Sequence, residues 1–377
     1  MNKQTAEMIK SYFTEHREEI VADMIRLINV ESPSRDKENA NRCADELCKL
    51  IKERLGIEGK RFPQQNRGDH MVFEWGSGER TVIAVGHYDT VWPIGAKPTE
   101  YEGDILKGSG SSDMKCGIVS EIWILKAITD LGLPCDKKVK LFFNSDEELG
   151  SMSSKDLILE HGKGCEAAFI FEPAQNGCLK TQRKGLGSFA VEITGKASHA
   201  GSAFENGISA INEAAKVIEY LNSLVDLERG TTVSVGIISG GTARNVVAAN
   251  CRMEVDYRVR TMDDYYSLME KIKALTPSRD GIKIDITFMS ARPPFERTAG
   301  TAALYDKLCE VAEVMEAEVA EMASGGGSDG NFLSAAGIAT LDGMGTIGGG
   351  EHAVTEHINV PKSLERAALI CAFLSEM

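Results

Sequence analysis

The stretch TVIAVG at residues 81–86 decides the fold class predicted for this chain. A short run of apolar and β-branched residues is typical of a strand buried on both faces, as in a parallel sheet. Comparable runs occur at residues 139–143 (VKLFF), 167–171 (AAFIF) and 337–341 (GIATL). Helix-like stretches at residues 117–131 and 153–161 lie between such runs. This alternation predicts an α/β architecture with a mostly parallel sheet.

The middle of the chain has a different periodicity. Apolar and polar residues alternate in three segments, at 187–194, 232–238 and 250–260. Strict alternation is typical of an antiparallel sheet with one solvated face, and a helix candidate at 207–224 lies among these segments. We therefore predict an inserted α+β domain at residues 183–293. The first domain is then discontinuous and comprises residues 1–182 and 294–377.

Composition excludes several classes of protein. The chain has 377 residues, of which 42% are hydrophobic and 26% charged, as in ordinary soluble globular proteins. Its 42 basic and 56 acidic residues give a net charge of −14, which argues against nucleic acid or an anionic membrane as a partner. No run approaches the ~18 apolar residues of a membrane span. The first thirty residues predict an amphipathic helix and not a signal peptide.

The cysteines bear on the cellular compartment. Nine are scattered along the chain, and no two form a C-x-x-C pair. This usage favours reduced thiols in the cytoplasm over a disulfide framework or a zinc knuckle. Most of them are expected to be packing residues, and Cys116 is the one that lies beside a motif described below.

Polar side chains follow the predicted strands closely, where each strand ends. Open α/β sheets place ligands at the carboxyl ends of their strands, so these side chains are expected to meet at one edge. A further acid opens the helix candidate at 117–131. The full set is His87, Asp89, Asp113, Glu147, Glu148, Glu172 and His352.

A set of imidazoles and carboxylates without thiolates suits zinc, and also manganese or cobalt. Five candidate ligands are more than one open catalytic zinc usually takes, so they favour two metal ions that share a carboxylate. Asp113 is the best candidate for that bridge. Glu147 could move a proton between water and a leaving amine, and Asp89 could accept a hydrogen bond from a ligand or from this base. Each residue alone has an ordinary interpretation, such as a solvated turn for three adjacent acids, and only the joint pattern favours a metal site.

Four strings carry a family resemblance: GHYDTV (86–91), GSGSSDMKCG (108–117), DEELGS (146–151) and FEP (171–173). Together they resemble the dizinc exopeptidase and amidohydrolase family that includes aminoacylase, succinyl-diaminopimelate desuccinylase, peptidase T and bacterial glutamate carboxypeptidase. The likeness extends over nearly the whole chain in the family's order and spacing. It implies a dizinc exopeptidase domain with an inserted lid and dimerisation domain.

The resemblance also implies a ligand assignment. One metal ion would bind His87 and Glu172. The other would bind Glu148 and His352, and Asp113 would bridge the two ions. Zinc is the favoured metal, with manganese or cobalt as alternatives.

Further roles follow from the same resemblance. Glu147 would be the general base and Asp89 the residue that orients it. The peptide bond after Asp113 would be cis. His357 is the alternative to His352 as a ligand, because the glycine-rich neighbourhood of His352 differs from the commoner pattern.

Two residues of the inserted segment match as well. The string ITGKASHAG (193–201) resembles the lid motif, in which His199 would stabilise the tetrahedral oxyanion. In dimeric relatives this histidine reaches into the neighbouring subunit, so the resemblance implies a homodimer. Asn245, in GGTARNVV (240–247), would help bind the substrate carbonyl or carboxylate.

The substrate candidates share an affinity for carboxylates. Arg258 and Arg292 offer planar guanidinium groups that bind carboxylates bidentately, although either could instead form a surface ion pair. Gly326 and Gly327, in the run SGGGSDG (324–330), offer backbone N–H groups. The strings RPPF and GGGSD resemble the glutamate carboxypeptidases more than the desuccinylases.

We therefore predict a cytoplasmic, homodimeric metallopeptidase that acts on a small peptide and binds neither nucleic acid nor membrane. It would hydrolyse the amide bond before a C-terminal amino acid, with glutamate favoured, by means of metal-activated water and a glutamate base. The first alternative is deacylation of an N-acyl amino acid, or of a polyamine-like amine, at the same centre. The second alternative is a metal-binding or scaffold protein without catalytic activity.

Overall fold

A computed structural model describes all residues from 1 to 377. The helices are α1 (Lys3–Glu15), α2 (Arg17–Ile28), α3 (Lys37–Leu55), α4 (Lys115–Asp130), α5 (Lys155–Gly162), α6 (Ala210–Ser223), α7 (Met262–Lys273), α8 (Ala299–Met315), α9 (Gly330–Ala335) and α10 (Val360–Glu376). The strands are β1 (Lys60–Phe62), β2 (His70–Trp75), β3 (Arg80–His87), β4 (Glu100–Glu102), β5 (Ile105–Lys107), β6 (Lys137–Asn144), β7 (Ala167–Ile170), β8 (Leu179–Arg183), β9 (Gly185–Thr194), β10 (Ser198–His199), β11 (Thr232–Gly240), β12 (Val246–Val247), β13 (Asn250–Val259), β14 (Lys283–Arg292), β15 (Glu321–Ser324), β16 (Ala339–Asp342), β17 (Gly348–Gly349) and β18 (His357–Asn359).

The main sheet has eight strands in the order β1-β2-β6-β3-β7-β16-β8-β15. Its centre is parallel, because β3 runs parallel to both β6 and β7, and β16 runs parallel to β7. These four strands are the four apolar runs of the sequence, so the prediction of an α/β fold with a mostly parallel sheet is confirmed. The outer strands differ: β2 pairs antiparallel with β6, and β8 antiparallel with β16. Parallel strands end at the same edge, and that edge carries the candidate ligands.

Helices cover this sheet with apolar surfaces. The helix α4 is buried along most of its length and packs against α1, α2, α3 and α10. The single amphipathic helix predicted near the start of the chain is instead two helices, α1 and α2, which meet at His16. The apolar stripe continues across the break, because Phe13 and Ile20 on either side of it are both buried.

The chain divides into two compact units. The first comprises residues 1–182, 297–323 and 328–377, and the second comprises 183–296 and 324–327. The second unit thus extends beyond the predicted residue 293, because Phe295 and Arg183 exchange backbone hydrogen bonds. Residues 324–327 belong to it because the carbonyl of Ser324 accepts from the N–H of Lys184 at 3.0 Å.

The second unit is built on a four-stranded antiparallel sheet in the order β11-β13-β9-β14. Helices α6 and α7 pack on this sheet. Strand β13 shows the predicted alternation, since Met253, Val255 and Tyr257 are buried between more exposed neighbours. Across both units, none of the helices combines the length and apolar character needed to cross a lipid bilayer.

Candidate metal centre

The seven predicted residues of the first unit all lie at or just beyond secondary-structure ends. His87 is the last residue of β3, and Glu172 follows β7 by two residues. Glu147 and Glu148 lie in a single helical turn that follows β6. Asp113 precedes α4, whereas His352 lies in the loop after β17. The parallel strands β3, β6 and β7 therefore deliver one imidazole and three acids to one edge, whereas His352 comes from a loop after a strand of another sheet.

The ring of His87 is oriented as in a metal ligand. Its Nδ1 lies 3.1 Å from the backbone carbonyl of Asp89, to which it can only donate. The other nitrogen, Nε2, faces two carboxylates, with Asp113 Oδ1 at 2.9 Å and Glu172 Oε1 at 3.6 Å. A histidine that donates one N–H to a carbonyl while the other nitrogen faces acids is the usual arrangement in metal sites.

Asp113 lies between two histidines. Its Oδ1 faces His87 Nε2, and its Oδ2 lies 3.3 Å from His352 Nε2. The peptide bond between Asp113 and Met114 is cis, as the resemblance implies. One carboxylate oxygen for each histidine is the geometry expected of a carboxylate shared by two ions.

His352 contacts a second acid. Its Nε2 lies 3.0 Å from Glu148 Oε2, and its backbone has the left-handed conformation with φ +60°. Hydrogen bonds with Asp113 and Glu148 raise the pKa of His352 to about 11. The surroundings thus favour a positive charge at this imidazole, and a divalent ion supplies such a charge.

Burial and the neighbouring imidazoles shift the pKa values of these acids in opposite directions, and the net shift differs between Asp113 and Glu148. Burial opposes ionisation of Asp113, but hydrogen bonds from His352 and His87 outweigh it and hold the pKa of that carboxyl well below its usual range. Burial raises the pKa of Glu148, only partly offset by its hydrogen bond with His352. Buried carboxylates of this density need compensating cations.

The donor atoms fit a pair of divalent ions. One atom each from His87, Glu147 and Glu172 lies within 4.8 Å of the others, and the same holds for His87, Asp113 and Glu148. The two overlapping groups contain only imidazole nitrogen and carboxylate oxygen, which suit zinc, manganese or cobalt. The groups contain four of the five ligands that the resemblance implies; the first group also contains Glu147, the predicted base, and neither contains His352.

Asp89 contacts the backbone beside the predicted base. It is completely buried, and its carboxylate accepts from the N–H groups of Glu147 and Glu148 at 3.3 and 3.4 Å. Its Oδ1 also lies 3.4 Å from His87 Nδ1. Asp89 therefore links His87 to the turn that carries both glutamates.

Sequence reasoning missed one buried acid of the site, Glu356. Its carboxylate accepts from the N–H groups of Ser112 and Asp113 and from the indole of Trp92. The available signal was the repeated Glu-His pair at 351–352 and 356–357.

Two other candidates lie outside the cluster. The alternative ligand His357 belongs to β18, and its Nδ1 bonds the carbonyl of Thr355 at 2.8 Å. Cys116 is completely buried within α4, and burial raises the pKa of its thiol. It is absent from both groups of possible metal ligands.

The remaining predicted residues belong to the second unit. His199 and Asn245 lie beside each other, since β10 pairs with β12 and the N–H of Ala200 donates to the Asn245 carbonyl at 2.9 Å. The Nδ1 of His199 accepts from the N–H groups of Gly201 and Ser202, each at 3.1 Å. The neutral ring must therefore carry its proton on Nε2, which leaves an exposed N–H donor.

The two arginines are bound differently. Arg258 forms a bidentate ion pair with Asp256, two residues earlier on β13, with distances of 3.0 and 3.1 Å. Arg292 ends β14 and is 4% exposed. A Cβ atom on Gly327 would lie 3.0 Å from Arg292 Cδ, whereas one on Gly326 would meet only Ser324 Oγ at 3.9 Å.

Comparison with known proteins identifies the family of the chain. Residues 83–376 match the peptidase family M20/M25/M40. This match covers more than half of the chain, so the chain belongs to that family. It is accordingly an enzyme of a metallopeptidase and amidohydrolase family, and the resemblance in its motifs is confirmed.

Individual relatives differ in activity. Carboxypeptidase G2 of Pseudomonas sp. (strain RS-16) is 28% identical over 372 residues, which is 94% of this chain and 89% of the relative. Acetylornithine deacetylase of Myxococcus xanthus is 32% identical over 201 residues, or 48% of this chain and 50% of the relative. The crystal structure of aminopeptidase PepT from Bacillus cereus shares the fold, with a TM-score of 0.80, 22% identity, and coverage of 96% of this chain and 98% of that one.

Proposed function

We propose that this enzyme is an exopeptidase that hydrolyses the amide bond before a C-terminal amino acid, with glutamate favoured. The observation that carries the proposal is the position of Asp113, with one carboxylate oxygen towards His87 and the other towards His352. The likeness to carboxypeptidase G2, which extends over 94% of the chain, supports the carboxypeptidase assignment.

Five residues would hold two divalent ions, with zinc favoured: His87, Asp113, Glu148, Glu172 and His352. When bound, such ions acidify water and polarise a carbonyl oxygen. Glu147 takes the proton from the attacking water at its carboxylate and delivers it to the leaving amine nitrogen. Asp89 holds the backbone of Glu147 in place for this transfer.

The second unit would act as the lid and supply the substrate contacts. The N–H at Nε2 of His199 donates to the developing oxyanion, and the Asn245 amide binds the substrate carbonyl or carboxylate. Arg292 binds the C-terminal carboxylate, and backbone N–H groups of Gly326 and Gly327 contribute to the same recognition.

A homodimer formed through the second unit completes the proposal. Both outer strands of its sheet, β11 and β14, carry solvent-exposed apolar residues, since Ile237 is 59% and Phe288 39% exposed. Unpaired edge strands with apolar residues readily pair with another chain. Light scattering tests this state, and a monomeric mass at working concentration contradicts it. We place the enzyme in the cytoplasm, where its nine free thiols stay reduced.

The activity is tested with a panel of substrates on metal-depleted protein reconstituted with zinc, manganese or cobalt. The panel contains N-acylated peptides that end in glutamate, aspartate or alanine, and the same peptides with amidated C-termini. We expect metal-dependent release of the C-terminal amino acid, fastest for glutamate. Equal turnover of the amidated peptides contradicts carboxypeptidase action.

The alternative is deacylation of N-acyl amino acids at the same centre. The observation in its favour is the 32% identity to an acetylornithine deacetylase over about half of the chain. N-acetyl amino acids and N-acetylated amines in the same panel distinguish the two reactions. Faster release of acetate than of a C-terminal amino acid favours the deacylase.

A further inference from the structure

Glu356 lies outside the ligand set, yet it contacts the backbone of the central ligand. Its Oε1 accepts from the N–H groups of Ser112 at 3.0 Å and Asp113 at 3.2 Å. Its Oε2 accepts from the indole Nε1 of Trp92 at 2.6 Å. The residue is only 1% exposed, so these three donors take the place of water around the carboxylate.

The loop that carries Glu356 also carries His352, and both residues contact Asp113. His352 approaches the Asp113 side chain, whereas Glu356 holds the Asp113 backbone. Lys97 stabilises the loop between His352 and Glu356, because its Nζ donates to the carbonyl of Val354 at 2.9 Å. The Asp113 carboxylate therefore has its position determined from a single loop on one side and from His87 on the other.

We propose that Glu356 is a positioning residue, which fixes the Asp113 backbone so that the carboxylate can face His87 and His352 at the same time. The inference rests on the function proposed above. A bridging carboxylate has both oxygens committed, so a small shift of its backbone moves both oxygens away from their sites. Mutation of a group that holds a metal ligand in place commonly lowers metal affinity or activity about 10- to 100-fold.

The chemistry of the three donors makes a single-atom test possible. Glutamine has the size of glutamate but only one acceptor oxygen, and its amide nitrogen is a donor. If the oxygen of Glu356→Gln faces Ser112 and Asp113, the NH₂ group opposes the indole N–H of Trp92. In the opposite orientation, it opposes two backbone donors. The first orientation forces the side chain away from the indole of Trp92, and the second removes the acceptor from the Asp113 N–H, whereas the volume of the core stays almost the same.

The experiment titrates metal-depleted full-length protein with Co²⁺ and follows the ligand-field absorption, and it measures kcat and KM separately. We expect Glu356→Gln to bind Co²⁺ about 10- to 100-fold more weakly. We also expect a lower kcat and a nearly unchanged KM, because substrate contacts are untouched. The matched control is Glu351→Gln, since Glu351 accepts only from the hydroxyl of Ser112 at 2.8 Å and glutamine can do the same.

A second pair of variants separates positioning from packing. Trp92→Phe removes the donor that opposes the glutamine NH₂, so the double variant Trp92→Phe/Glu356→Gln should regain Co²⁺ affinity relative to Glu356→Gln. An equal loss in Trp92→Phe and Glu356→Gln would place the effect in packing around the indole and overturn the inference. If Glu356→Gln does not fold, Glu356→Asp serves instead, because its shorter carboxylate withdraws from both backbone N–H groups.

The outcomes for the two proposals are distinct. Wild-type protein that binds two Co²⁺ ions and hydrolyses peptides, beside a Glu356→Gln variant with the same affinity and kcat, refutes the positioning role alone. Wild-type protein that neither binds Co²⁺ nor hydrolyses any substrate refutes both proposals.

Discussion

The candidate residues of the two units are organised in opposite ways. In the first unit they contact one another, since His87, Asp113, His352 and Glu148 form a continuous chain of contacts between 2.9 and 3.3 Å. In the second unit two of the candidates have local partners instead. His199 binds the backbone just after itself, and Arg258 binds Asp256. Contacts among candidates identify a common site, whereas local partners leave the role of each residue to experiment.

The largest expected effect concerns the predicted base, Glu147. It tests whether the residues that contact one another in the first unit form a catalytic site. Glu147→Gln keeps the size of the side chain but removes its basicity, so we expect kcat to fall by about 10³-fold. Metal content should be unchanged, since Glu147 is not one of the five proposed ligands. Steady-state kinetics and metal analysis on the same preparation test this.

The control for that variant is Glu160→Gln, on the exposed side of α5. It should leave kcat within twofold of wild type. A Glu147→Gln enzyme with near-normal kcat removes Glu147 from the mechanism, and one that has lost metal makes it a ligand.

The contrast between the units also explains how much could be predicted. His87, Glu147, Glu148 and Glu172 follow strands of the parallel sheet, so the order of those strands is enough to bring these four together. Glu356 carries no such signal, because its partners Ser112 and Asp113 are more than 240 positions away and are backbone groups. Side-chain identity does not reveal a contact with a distant main chain.

The sequence does carry a signal for the partner of Arg258. Residues two apart on a strand lie on the same face, so Asp256 was placed beside Arg258 by the alternation of β13 alone. The ordinary interpretation as an ion pair was therefore already favoured by the sequence. The break at His16 is different, since the apolar stripe runs through it and gives no indication that one helix becomes two.

The next effect tests whether His199 joins the catalytic machinery despite its local partners. Removal of one donor to an oxyanion commonly costs about 10²- to 10³-fold in kcat, so we expect that loss for His199→Ala. KM should change much less, because the contact strengthens as charge develops. His16→Gln, at the junction of α1 and α2, is the control for loss of a partly exposed histidine. A loss below about threefold in His199→Ala contradicts the oxyanion role.

A smaller effect distinguishes the two arginines. Lysine keeps the charge but loses the planar fork, so Arg292→Lys should raise KM about tenfold for peptides with a free C-terminal carboxylate. Arg258→Lys should raise KM less than about threefold, because its guanidinium already binds Asp256. Amidated peptides should show no such difference between the variants. Thermal melting shows whether the buried Arg292 position tolerates lysine, and equal KM changes in both variants would remove the distinction.

The smallest expected effect compares two neighbouring glycines and sharpens the description of the second unit. A Cβ on Gly327 would lie 2.6 Å from Leu186 Cδ2 and 3.0 Å from Arg292 Cδ, whereas a Cβ on Gly326 meets only one atom, at 3.9 Å. Overpacking of this kind costs about 1–3 kcal/mol, so Gly327→Ala should lower Tm by a few degrees. Gly326→Ala, with the same change in chemistry, should leave Tm within about one degree. Scanning calorimetry on both variants measures this directly. If both variants melt like wild type, Leu186 and Arg292 can move to accommodate a Cβ at residue 327. Their close approach then does not require a glycine at this position.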